Sequence, residues 1–242
     1  MRPLVLVHGF MGGSAQWELQ KVELGEKRRL IAVDLPGFGA HAHLEAPDTI
    51  AGFASYVLDE LTRQGVGQFD LLGHSMGGMI VQEMAALAPD RVRRLIVYGS
   101  AATGNLPGRF ETFEQSRQRV KSEGVAANAR RISATWFLDL DQAAQYENCA
   151  SLAEQSSLQA MLAALNAMET WSRTDSLAAI SCPTQIIWGE ADRTYRWPQI
   201  EQLWSTIADA SLAVLPGCSH AAHMEKPALF NAIVQDFLDR SI

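Results

Sequence analysis

Six short β-rich runs recur along the chain, most of them nearly continuously apolar: Leu4 to Val7, Arg29 to Asp34, Phe69 to Leu72, Arg94 to Gly99, Thr184 to Trp188 and Ser211 to Leu215. A strand with one wet face alternates apolar and polar residues, whereas a continuous apolar run is buried on both sides, as in a parallel sheet covered by helices. Segments of helical period lie between them. Ile50 to Arg63 carries Phe53, Tyr56, Val57 and Leu61 at a spacing near that of a helix, and Ser75 to Leu87 and Pro198 to Ile207 supply two further crossovers. The last helix, Pro227 to Leu238, has proline in its first turn and a stripe of Phe230, Ile233, Val234 and Phe237. The alternation predicts an α/β fold, a doubly wound and mostly parallel sheet of about six strands.

The rhythm breaks between residues 104 and 181. This stretch is rich in Gln, Ala, Ser and Glu at helical spacing, and turn-forming sequences flank it, Thr103 to Gly108 on one side and Ser181-Cys182-Pro183 on the other. It reads as a helical insertion, with residues 1–103 and 182–242 forming the core domain. Trp136, Phe137, Leu138, Met161, Leu162, Leu165, Met168 and Trp171 give it more apolar surface than so small a unit can bury alone, so it is expected to pack over the sheet.

Composition narrows the function. A chain of 242 residues accommodates one large α/β domain, and a net charge of −7 lacks the basic footprint needed to bind nucleic acid. No run approaches the roughly 20 apolar residues that span a bilayer, and the opening segment MRPLVLVHGF is soon followed by Gly12 and Gly13. A cytoplasmic protein acting on a small molecule is expected. Three widely spaced cysteines without a CxxC pair suggest neither a disulfide framework nor a zinc site, and no metal or cofactor is expected.

The most informative segment is Gly73-His74-Ser75-Met76-Gly77, placed between an apolar strand and a helix. Small residues two positions either side of Ser75 let strand and helix approach closely enough to hold a strained bend, which exposes the hydroxyl at a helix N-terminus. Such a hydroxyl becomes a useful nucleophile only with a base in reach and a third group to orient the base. His220, just beyond the sixth predicted strand, would sit at the edge where ligands bind in such sheets. After the fifth strand, Trp188-Gly189-Glu190-Ala191-Asp192 offers two carboxylates, of which Asp192 lies later in the loop and is better placed to reach across.

The order Ser75, Asp192, His220 in this setting resembles the α/β-hydrolase fold superfamily, in particular its small bacterial esterases and enol-lactone hydrolases. Four motifs carry the resemblance over nearly the whole chain: His8-Gly9-Phe10, Asp34-Leu35-Pro36-Gly37-Phe38-Gly39, the elbow GHSMGG, and His220 to Pro227. It implies an oxyanion hole at the backbone amides of Phe10 and Met76, and it makes the insertion a cap that sets substrate choice. The antiparallel hairpin that usually opens the family's sheet is absent here, and His41 stands where many relatives carry serine. Candidate substrate contacts are therefore Trp136, Phe137, Trp171 and His41, while His8, His74 and His223 are expected to be structural. The implied activity is hydrolysis of an ester or lactone of a small, mainly apolar substrate through an acyl-serine. Carbon–carbon hydrolysis, thioester hydrolysis, the lyase step of menaquinone biosynthesis and a noncatalytic binding module remain open.

Overall fold

The computed structural model describes residues 2–107, 109 and 111–241. Six strands, β1 (Leu4–Val7), β2 (Leu30–Val33), β3 (Phe69–His74), β4 (Val92–Tyr98), β5 (Thr184–Gly189) and β6 (Ala210–Leu215), form one sheet in the order β2-β1-β3-β4-β5-β6. All five pairings are parallel. Successive side chains of each strand enter opposite layers, which explains the continuous apolar runs. Val5 and Val7 of β1, with Leu95 and Val97 of β4, enter one core, while Leu4, Leu6, Ile96 and Tyr98 enter the other.

The first core lies under α2 (Ile50–Arg63), α3 (Met76–Leu87) and α8 (Trp197–Thr206). The second is closed by Trp17 and Leu24, the latter on α1 (Glu18–Leu24), by Ala222 of the short α9 (Ala222–Glu225), and by Phe230, Val234 and Phe237 of α10 (Pro227–Asp239). The Thr49 hydroxyl caps α2 by accepting a hydrogen bond from the Gly52 amide at 3.1 Å, a contact that satisfies one of the orphan donors of a first turn.

Between β4 and β5 the chain forms α4 (Phe113–Glu123), α5 (Val125–Ala134), α6 (Tyr146–Ala153) and α7 (Leu158–Thr170). The two ends of this insertion are tied together by an antiparallel bridge between Thr103 and Ser172. Ala160, Ala164, Leu165 and Met168 of α7 join the same core as the sheet and α3, so the insertion packs as the excess of apolar residues requires. Among the described residues no helix is long and apolar enough to cross a membrane.

Candidate active site

Ser75 stands at the junction of β3 and α3 with φ 57° and ψ −119°. A non-glycine residue at positive φ is strained and persists only where its surroundings hold it. The flanking glycines do so by close approach. A methyl group on Gly77 would overlap the carbonyl oxygens of Val7 and His8, and one on Gly73 would overlap the backbone of Gly77. Helix α3 is thereby drawn down onto β1, and the Met76 amide at its N-terminus has no intrahelical acceptor, whereas the Gly78 amide donates to the Ser75 carbonyl at 2.8 Å. The loop after β1 also abuts the elbow: a Cβ on Gly9 would lie 3.0 Å from Ser75 Cβ. The Phe10 amide follows Gly9 directly, in a turn closed by the Gly12 amide donating to the Gly9 carbonyl at 3.1 Å.

His220 and Asp192 come from the loops after β6 and β5. His220 Nδ1 lies 2.9 Å from Asp192 Oδ2, and both side chains are almost wholly buried. The other carboxylate oxygen, Oδ1, accepts from the amides of Thr194 (2.7 Å) and Tyr195 (3.1 Å). A carboxylate held this way can keep the imidazole proton on Nδ1 and leave Nε2 as the basic nitrogen. Glu190 is exposed and accepts from the Gly217 amide at 3.1 Å, so it closes its own loop and does not face His220.

An alpha/beta hydrolase family model matches residues 4–233. The chain belongs to the alpha/beta hydrolase family. It is 31% identical to a 2-hydroxymuconate semialdehyde hydrolase of a Pseudomonas species, over 98% of this chain and 86% of the relative. It is 27% identical to a pimeloyl-[acyl-carrier protein] methyl ester esterase of Yersinia enterocolitica, over 98% and 93% of the two chains. A thermophilic esterase from Thermogutta terrifontis superposes with a TM-score of 0.89 at 26% identity, covering 98% of this chain and 89% of that one.

In this alpha/beta hydrolase a narrow cavity opens over Ser75, walled largely by apolar side chains of the insertion such as Phe113, Ile132, Met161 and Leu165. Phe10 and Trp136 line it as well, and the Trp136 ring lies 6.1 Å from that of His220. The other three candidate substrate contacts are corrected, because each side chain is engaged outside the lining. Phe137 is fully buried beside Cys149 and Ala221. Trp171 donates its indole N–H to Glu83 on α3 at 3.1 Å and anchors the insertion there. His41 Nδ1 donates to the Asp34 carbonyl at 2.8 Å, with the Tyr56 hydroxyl 3.1 Å from the same nitrogen.

The imidazoles of His8, His74 and His223, expected to be structural, are buried and each lies within hydrogen-bond distance of a neighbouring loop or ring. His8 Nδ1 donates to the Gly9 carbonyl (2.8 Å) and its Nε2 accepts from the Leu35 amide (3.0 Å), pinning two loops of the site to each other. His74 turns under the elbow, stacks on Tyr98 at 4.5 Å and donates through Nε2 to the His220 carbonyl at 3.1 Å. His223 sits with Nδ1 3.1 Å from the Tyr98 hydroxyl.

One residue of the site escapes the sequence reading. Tyr195 lines the cavity, its ring stacks on His220 at 5.6 Å, and its phenol interacts with the Ser75 hydroxyl. Burial pushes that phenol up to about 12, so it keeps its proton at neutral pH. The signal available in the sequence is its place three residues after Asp192, where the backbone that orients the carboxylate also fixes the ring.

Proposed function

We propose that this hydrolase cleaves a carboxylic ester or lactone of a small, mainly apolar substrate through an acyl-serine intermediate. The observation that carries the reading is the buried Asp192–His220 pair together with a serine held at positive φ on the floor of one apolar cavity. His220 takes the Ser75 proton as Ser75 attacks the carbonyl, and the Phe10 and Met76 amides stabilise the oxyanion. His220 then protonates the leaving alkoxide and afterwards activates water to release the acid. Protein groups and water suffice for each step. The four-helix insertion acts as a cap that selects the acyl and alcohol groups. Three free thiols, Cys149, Cys182 and Cys218, support a reducing, cytoplasmic setting.

The test is hydrolysis of p-nitrophenyl esters from acetate to octanoate by wild type and Ser75→Ala, with intact-mass analysis after phosphonate treatment. Wild type is expected to turn over and to gain one adduct, with both lost in the variant and kcat down by about a thousandfold or more. Equal turnover by the two proteins would refute the assignment. A second reading places a substrate like that named for the 31% identical relative at the same residues. Rapid phosphonate labelling without ester turnover would favour it.

A further inference from the structure

The last residue of β4, Tyr98, is fully buried beneath the site and is bonded to both the nucleophile's and the base's main chain. Its carbonyl accepts from the Ser75 amide at 2.9 Å, and its hydroxyl donates to the His220 carbonyl at 2.6 Å. The His220 carbonyl also accepts from His74 Nε2 at 3.1 Å. A phenol carries one proton, and Tyr98 gives it to that carbonyl. In the 3.1 Å contact with His223 the imidazole Nδ1 is therefore the donor and the phenol oxygen the acceptor. The His223 amide donates to the same oxygen at 3.2 Å. The hydroxyl is thereby saturated, and burial raises the phenol well above its ordinary value, which keeps its proton in place. Rings continue the contact upward: Tyr98 stacks on His74 at 4.5 Å, and His74 lies 4.5 Å from His220. Gly99, next in the chain, passes so close to the site that a Cβ on it would stand 3.2 Å from His220 Nδ1 and 3.5 Å from Asp192 Oδ2.

We propose that Tyr98 is a positioning residue for the base, its hydroxyl fixing the His220 main chain so that the imidazole keeps Asp192 behind it and Ser75 within reach. The inference rests on the hydrolase reading and names what holds its base in register. His220 lies in the loop after β6, where no strand ladder sets the height of its backbone. Asp192 orients the imidazole through Nδ1, but the point from which that ring hangs is set by the main chain. Proton transfer needs heavy atoms within about 3.2 Å of each other, and a misplacement of about 1 Å can cost about a hundredfold in rate. Since Tyr98 bonds Ser75 through its own main chain and His220 through its hydroxyl, it holds the two reacting groups at one spacing. Removing the hydroxyl leaves the Ser75 contact intact and releases His220 to the longer bond from His74.

Tyr98→Phe keeps the ring and removes the donor. Hydrolysis of p-nitrophenyl butyrate is compared in wild type, Tyr98→Phe and Phe230→Leu, with kcat expressed per site titrated by a phosphonate so that misfolded protein does not count. Phe230 packs on the Tyr98 ring with centroids 4.9 Å apart and has no group to offer the His220 carbonyl, so its variant reports lost packing alone. Tyr98→Phe is expected to lower kcat about tenfold or more with KM within about twofold, and to slow phosphonate labelling by a similar factor, because labelling draws on the same proton transfer. Phe230→Leu is expected to lower the urea midpoint and to leave kcat per site within about twofold. Because Tyr98→Phe strands the His223 Nδ1–H in the core, Tyr98→Phe combined with His223→Leu is made as well; it removes both partners of that contact, which favours folding, and should show the same loss of kcat. A smaller loss in the Tyr98→Phe proteins, a loss carried by KM, or an equal loss in Phe230→Leu would overturn the proposal. A wild type that neither turns over the ester nor takes the label would instead refute the hydrolase reading, and this role with it.

Discussion

Three buried imidazoles around the elbow are held neutral by desolvation: His8 is lowered to about 4, His223 to about 3, and His74 well below its ordinary value. Geometry reinforces this at His8, whose Nε2 accepts from the Leu35 amide and would face a second N–H if it took up a proton. In the unfolded chain the same groups titrate near 6.5. As pH falls below 6.5 the unfolded state therefore binds protons that the folded state refuses. The stabilisation is complete above that pH and is lost toward pH 4, at about 1.4 kcal/mol per histidine for each pH unit. The urea midpoint is expected to be flat from pH 8 to 7 and to drop steeply between 6.5 and 4.5; a constant midpoint over that range would contradict the account. His8 bonds the carbonyl of its own neighbour, Gly9, so its bracing of that loop was legible in the sequence, whereas His74 reaches the His220 carbonyl across 146 residues. The role of Tyr195 was not legible, since its ring meets His220 across 25 residues of chain and only the folded loops bring them together.

At the level of elements, the nucleophile depends on how closely a helix can approach a strand. Gly77 lies on α3 against the carbonyls of Val7 and His8, so Gly77→Ala must push the helix off β1 and carry Ser75 with it. We expect a loss of more than about 3 kcal/mol in stability, read as a lowered urea midpoint or as insoluble protein. Gly67→Ala is the control, because a Cβ there would meet nothing within 4 Å, and its midpoint should hold or rise slightly. If both variants unfold alike, close packing is not what holds the elbow. Strands and long helices were readable to within a residue or two because burial on both faces and a sustained helical stripe leave strong local patterns. Helix α1, seven residues long, gave no comparable stripe to read.

Across the whole molecule, the insertion and the sheet share one hydrophobic core. Leu165, Met168 and Trp171 belong to the same buried cluster as Val7, Met79 and Val97, and Arg173 on the returning chain pairs with Glu83 of α3 at 2.9 Å. Neither part can lose its partner without exposing that surface, so urea unfolding followed by tryptophan fluorescence and by far-UV circular dichroism should give coincident transitions. Two separated transitions would show that the insertion is an independent unit. The same packing decided which aromatic residues meet the cavity. Hydropathy gives Trp136, Phe137 and Trp171 equal weight, since an apolar side chain satisfies the pattern whether it faces core or cleft, and the fold sends Trp136 alone of the three to the cavity over Ser75. The sequence by itself determined the parallel sheet, the elbow and the order of Ser75, Asp192 and His220, because these follow from local spacing and from loops that all leave the same edge of the sheet. Only the tertiary structure decided the composition of the cavity wall and the contact of Tyr195 with the site, because these depend on side chains distant in sequence meeting across a closed insertion.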